Sequence, residues 1–167
     1  YTGTAASRPP HRFQGDGVER GDEMNFDREA LANQIVTLPP AAQTFFSFLC
    51  AERLRACCWA FSKDENWDLN SYFEGCDLLF QHLVRDTALD RAQVDALIRR
   101  VDESVPHSDE FGSPLAVQAQ NGLLALLYAL DVWSASDPEA CVNAAGTVVD
   151  GLDNYEFFIH RAIVGKT

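Results

Sequence analysis

The chain has 167 residues, 47% of them hydrophobic, with 25 acidic residues against 13 basic ones for a net charge of −12. That length and apolar content suit one domain with a real core and argue against wholesale disorder. So acidic a surface repels phosphate backbones and anionic lipid, which weighs against nucleic acid or membrane as a partner and favours basic proteins.

No apolar run approaches the ~20 residues that span a bilayer. Residues 1–23 lack the apolar centre of a secretory signal. Cys50, Cys57, Cys58, Cys76 and Cys141 are odd in number and show no CxxC spacing. A disulfide scaffold and a zinc site both fit poorly, and a reduced, cytoplasmic setting is expected, with the thiols acting as small hydrophobes.

Residues 1–23 are rich in Gly, Pro, Arg and acid without any period and read as an extension outside the fold. Met24 is the only methionine and stands just before the first helical pattern, so the domain is drawn at 24–167 with Met24 a candidate start. Asp27 is placed to cap a short helix through Ile35, which Leu38-Pro39-Pro40 must end. The next helix runs from the prolines to about Ser62, with Phe46, Cys50, Leu54, Cys57 and Phe61 as its inward stripe. A third spans about Leu69 to Arg85, with Tyr72, Phe73, Cys76, Leu79, Phe80, Leu83 and Val84 on one side.

Asp90 with Gln93 resembles a capping box and opens a fourth, amphipathic helix that Pro106 stops. Its apolar side is Val94, Leu97, Ile98, Val101 and Val105. Ser113-Pro114 starts a fifth helix to about Trp133, apolar nearly all round after Gly122 and therefore central. Ser136-Asp137-Pro138-Glu139 starts a sixth through about Ala162. No alternating strand pattern exceeds three residues and no repeat is present. The expected fold is all-α, a single-domain bundle of about six helices.

Catalytic signatures are lacking: there is no glycine-rich phosphate loop, GxSxG or HExxH. A di-iron bundle needs two Glu-x-x-His motifs. The nearest approaches, Glu156 with His160 and Asp77 with His82, have the wrong spacing. His82 and His160 fall towards helix ends, where the macrodipole favours cations. No catalytic residue, metal or cofactor is assigned. Glu52, Arg53 and Arg55 interrupt an otherwise apolar helix. Glu52 and Arg55 can pair at i, i+3, while Arg53 must snorkel or find a carboxylate on another helix. They form either a structural ion-pair network or a polar site in the core.

The charge map carries the most information. Between Arg100 and Arg161 lie sixty residues with no lysine or arginine and ten carboxylates, among them Asp102, Glu103, Asp109 and Glu110. A second acid-only run, Asp64, Glu65, Asp68, Glu74 and Asp77, lies between Lys63 and Arg85. Solubility alone would explain such runs. The sharper expectation is a negative face that steers a basic protein into place.

Three segments resemble a known family. Leu49-Cys50-Ala51-Glu52-Arg53-Leu54 is similar to the LCERM-type helix of the YjaG-like proteins (domain of unknown function 416). Val101 to Phe111 looks like that family's E-x-x-I-P-x-x-D-x-F helix end, and Ser113 to Leu130 like the alanine- and leucine-rich helix that follows. Ala51 is inserted in the first motif, and the aromatic acidic helix is represented only by Tyr72 to Val84, which marks a divergent relative. The resemblance implies an all-helical fold with no established activity or cofactor. Such helical proteins also look like bacterial immunity proteins encoded beside secreted toxins.

The leading expectation is an immunity-type protein, not an enzyme, that blocks a basic toxin, a nuclease among the candidates, with carboxylates set where the toxin expects phosphates. Its contact residues would be Asp102, Glu103, Asp109, Glu110, Asp64, Glu65 and Asp68, with Trp67 and Phe111 as exposed aromatic anchors. The alternatives are a helical metal-dependent hydrolase using Glu52, Glu156 and His160 or the carboxylates around His107, and a structural or regulatory homodimer joined through an apolar helix face.

Overall fold

A computed structural model describes residues 26–164, with side chains as far as residue 154. Six helices follow in order: α1 (Arg28–Ile35), α2 (Pro40–Asp64), α3 (Asn70–Arg85), α4 (Arg91–Ser104), α5 (Pro114–Ala135) and α6 (Pro138–Val164). A single 3-10 turn, Ser108–Glu110, joins α4 to α5. No strand occurs among the described residues, and the fold is all-α as expected. The proposed extension 1–23 lies outside the described residues.

Helix starts follow from local chemistry. Asp27 Oδ1 accepts from the Ala30 N–H at 2.9 Å, Asp90 Oδ2 from Gln93 at 3.1 Å and Ser113 Oγ from Leu115 at 3.2 Å. Each side chain satisfies a backbone donor that the first helical turn leaves orphaned. Pro40, Pro114 and Pro138 open their helices, where a missing N–H is harmless.

α5 is the central element. Ala116, Ala119, Leu123, Leu126, Ala129 and Leu130 on it are fully buried, and α2, α4 and α6 pack around it. α5 is long and apolar enough by composition to cross a membrane, but 61% of its most apolar window is buried inside the fold, as in a core helix. Three glycines set close approaches, the first being Gly75 of α3, where a Cβ would stand 2.7 Å from Leu126 Cδ2 on α5. A Cβ on Gly122 would run into Cys58 Sγ on α2, and one on Gly151 of α6 would stand 2.7 Å from Gln118 Oε1 on α5. The freed space lets Gln118 Nε2 donate to the Gly151 carbonyl at 2.5 Å. Tyr72 donates its hydroxyl to the Ala51 carbonyl at 2.6 Å, fastening α3 to α2.

Two side assignments are corrected. The inward face of α2 is Phe48, Ala51, Leu54, Cys58 and Phe61, while Phe46, Cys50 and Cys57 are only half-buried. α2 is apolar on nearly every side, so several stripes fit its sequence and only packing chooses between them. On α3, Tyr72, Cys76 and Leu79 are buried, but Phe80 and Val84 are exposed. Phe80 still reaches α2, its ring centroid 6.5 Å from that of the buried Phe48.

Contacts between helices fix their directions. α6 runs alongside α2, with Cys141 near Gln43 and Gly151 near Leu54. α4 runs against α5, since Arg91 Nη1 donates to the Ser134 carbonyl at 3.0 Å. The C-terminal ends of α2 and α4 therefore lie at the same end of the bundle as the N-terminal ends of α3 and α5.

Candidate functional site

That shared end collects the predicted acidic residues. Asp64 is the last residue of α2 and Glu65 its cap, while Asp68 precedes α3. Asp102 and Glu103 fall in the final turn of α4, and Asp109 and Glu110 in the 3-10 turn. All seven are exposed. None of them makes an ion pair with another described residue.

Aromatic packing and short hydrogen bonds hold the segments together. Trp67 Nε1 donates to the Ser104 carbonyl at 2.9 Å, and Ser62 Oγ to the Trp67 carbonyl at 2.7 Å. Ser71 and Ser104 hydroxyls meet at 2.8 Å. The Phe111 ring stands edge-on to both Trp67 (centroids 5.4 Å, 85°) and Phe61 (5.1 Å, 81°). An open groove of about 470 Å³ runs between the α2–α3 loop and α4, and Asp68 and Glu103 both line it. The two acid runs, separate in sequence, thus share one surface.

The aromatic expectation is corrected by the same contacts. Trp67 and Phe111 are half-buried and packed on the core, so they brace the acidic end and are not free anchors. Asp68 also has a structural task, because its Oδ1 accepts from the Asn70 N–H at 2.9 Å as α3 begins.

Not every acid of the two runs stays base-free. Arg100 grips Glu74 with both nitrogens at 2.7 and 2.8 Å. This hydrogen-bonded pair lowers the Glu74 carboxyl and raises Arg100 relative to their ordinary values. Arg28 comes within 3.9 Å of Glu139. The negative surface is therefore narrower than the sequence runs imply; besides the seven acids at this end, Asp131 and Asp137 at the opposite end and Asp150 and Asp153 on α6 are exposed and make no ion pair among the described residues.

The polar network on α2 is corrected in membership. Arg55 donates to Glu52 Oε1 at 2.7 Å and to Asp77 Oδ1 at 2.9 Å, and its guanidinium lies 5.5 Å over the Phe73 ring. Burial alone would lower Arg55, but these two carboxylates raise it above its ordinary value. Arg53 is exposed and pairs with no described acid. The network lies at the α2–α3 surface rather than in the core, because Glu52 and Arg55 point along the edge that α3 crosses.

The five cysteines are free. Burial pushes Cys50 and Cys58 up to about 12 and also raises Cys57, Cys76 and Cys141. Their thiols stay protonated and weakly nucleophilic at neutral pH. No group of three His, Cys, Asp or Glu able to hold a metal ion occurs among the described residues. The side chains of Glu156 and His160 lie outside them. His82 accepts from Trp133 Nε1 at its Nε2 (3.2 Å) and holds the Thr87 carbonyl through Nδ1 (2.8 Å), which occupies both ring nitrogens in packing. His107 is exposed beside the 3-10 turn.

One feature was hidden in the sequence. Phe45, Leu49 and Trp59 on α2 are 41%, 47% and 58% exposed. The exposed Arg53 among them was the available signal that this side of α2 faces outward.

No protein-family model matches the chain, and no curated protein or solved structure shows significant similarity to it.

Proposed function

We propose that this chain is an immunity-type binding protein that captures a basic protein partner, a toxin of nuclease type, at its acidic end. The observation that carries the reading is the placement of Asp64, Glu65, Asp102 and Glu103 at the C-terminal ends of two helices. The macrodipole is negative there, so each carboxylate sits in an unfavourable field worth ~0.3–1 kcal/mol. Charge kept against local stability is consistent with use in binding, where it speeds encounter with a positive surface and fixes its orientation. Asp109 and Glu110 extend the same field, and Asp68 and Glu103 line an open groove there beside Arg100, whose charge Glu74 offsets. A distant kinship to the YjaG-like proteins, carried by segments of α2, α4 and α5, belongs to the same proposal.

The test is affinity capture of the partner from the native proteome, followed by calorimetric titration at low and high salt. The Asp102→Asn, Glu103→Gln, Asp109→Asn, Glu110→Gln variant is titrated beside the wild type. Binding should weaken at least ~10-fold with salt and again in the variant. A partner bound equally well by the neutralised variant would overturn the assignment.

A further inference from the structure

The outward side of α2 is the least explained surface of the described fold. Phe45, Leu49, Ala56 and Trp59 are exposed along it, with the exposed Arg53 at its middle and the half-buried Glu52 beside it on the α3 side. Scattered exposed apolar residues are ordinary, but a stripe along a helix of 25 residues is not. Its charge is also unusual for this protein. α2 holds three bases and two acids, in a chain of net charge −12. Two copies can approach on this surface with little like-charge repulsion.

We propose that two copies of this chain pair through antiparallel α2 helices. A two-fold axis makes the interface self-complementary, so a residue and its opposite number exchange roles across it. The order of residues on α2 suits such an axis placed between Glu52 and Arg53. Glu52 then faces Arg53 of the second copy, and the reverse contact repeats the pair. Leu49 faces Ala56, and Phe45 faces Ala60, so a large side chain meets a small one each time. The Ala56 position is already hollow: Glu52, Arg55, Ala56, Trp59 and Phe73 border an open concavity of about 550 Å³. Leu49 of the second copy fills it as a knob between Trp59 and Phe73. The Arg55 bonds to Glu52 and Asp77 hold Glu52 in place for its new partner. Antiparallel alignment also opposes the two helix dipoles favourably.

Sedimentation equilibrium of the full chain across the micromolar range, with no partner added, tests this apart from the acidic end. The wild type should approach twice its 18.5 kDa chain mass. Leu49→Glu and Arg53→Glu, both at exposed positions, should each raise the dimer dissociation constant by ~30-fold or more while leaving the helical circular dichroism unchanged. Val36→Glu, at an exposed site outside the stripe, should leave it unaltered. A wild type that stays monomeric throughout the range overturns the proposal. So does a dimer whose constant either α2 variant leaves unmoved.

Discussion

The indole N–H of Trp67 reaches the carbonyl of Ser104, 2.9 Å away on the last turn of α4. Final-turn carbonyls have no partner within their own helix, so this bond both satisfies one of them and pins the α2–α3 loop to α4. Trp67→Phe should keep the edge-on contact with Phe111 and lose only the hydrogen bond, lowering stability by ~1 kcal/mol. Trp67→Ala should cost ~2 kcal/mol, less than for a fully buried tryptophan. Urea denaturation gives both values. Equal losses for the two variants would show that the hydrogen bond, and not the ring, holds the loop.

Charge at the helix ends predicts an opposite sign. Asp102 and Glu103 lie in the last turn of α4, and neither pairs with a described base. Converting them to Asn and Gln removes their repulsion from the negative end of the helix dipole. The double variant should gain ~0.5–1.5 kcal/mol in the same urea experiment, and added salt should shrink the gain. A loss of stability would mean that these carboxylates make a structural contact.

What the sequence disclosed divides along physical lines. Helix starts were legible because capping is local: Asp27, Asp90 and Ser113 each bond within three residues of themselves. α4 was legible because its two sides differ in polarity. The inward side of α2 was not, since Phe45, Phe46 and Phe48 are equally apolar and only the position of α5 separates them. The acid runs pointed to Asp102, Glu103, Asp109 and Glu110, but a linear charge map cannot show that Arg100 turns back to Glu74 or that Arg55 spans to Asp77. Trp67 and Phe111 looked like anchors for the same reason. Their half-burial depends on meeting each other across a separation of more than forty residues.

The α2–α5 contact makes a sharper demand. A Cβ at residue 122 would strike Cys58 Sγ, a buried sulfur with little room to move. Gly122→Ala gains helix propensity but should still destabilise by ~1–3 kcal/mol through overpacking. Cys58→Ala removes the obstructing atom. The double variant should therefore be more stable than the sum of the single changes predicts, by ~1 kcal/mol or more in a thermodynamic cycle. Additive effects would show that Gly122 is needed for another reason.

High pH should unfold this protein through its buried thiols. Burial holds Cys58 at about 12 in the folded state, against about 9 for an ordinary thiol. Cys76 and the Tyr72 hydroxyl are raised by burial too. A raised folded value means that the unfolded chain releases the proton first. The stabilising effect is therefore complete below pH 9 and is lost as pH climbs towards the folded value. For Cys58 the loss is ~1.4 kcal/mol per pH unit inside that window. Urea midpoints should be flat from pH 7 to about 8.5 and fall steeply from 9 to 11. Cys58→Ala should flatten the fall, and the native Cys58 and Cys76 thiols should resist a disulfide reagent at pH 8 until denaturant is added. A midpoint that stays level to pH 11 would mean that these groups ionise inside the fold as readily as outside it.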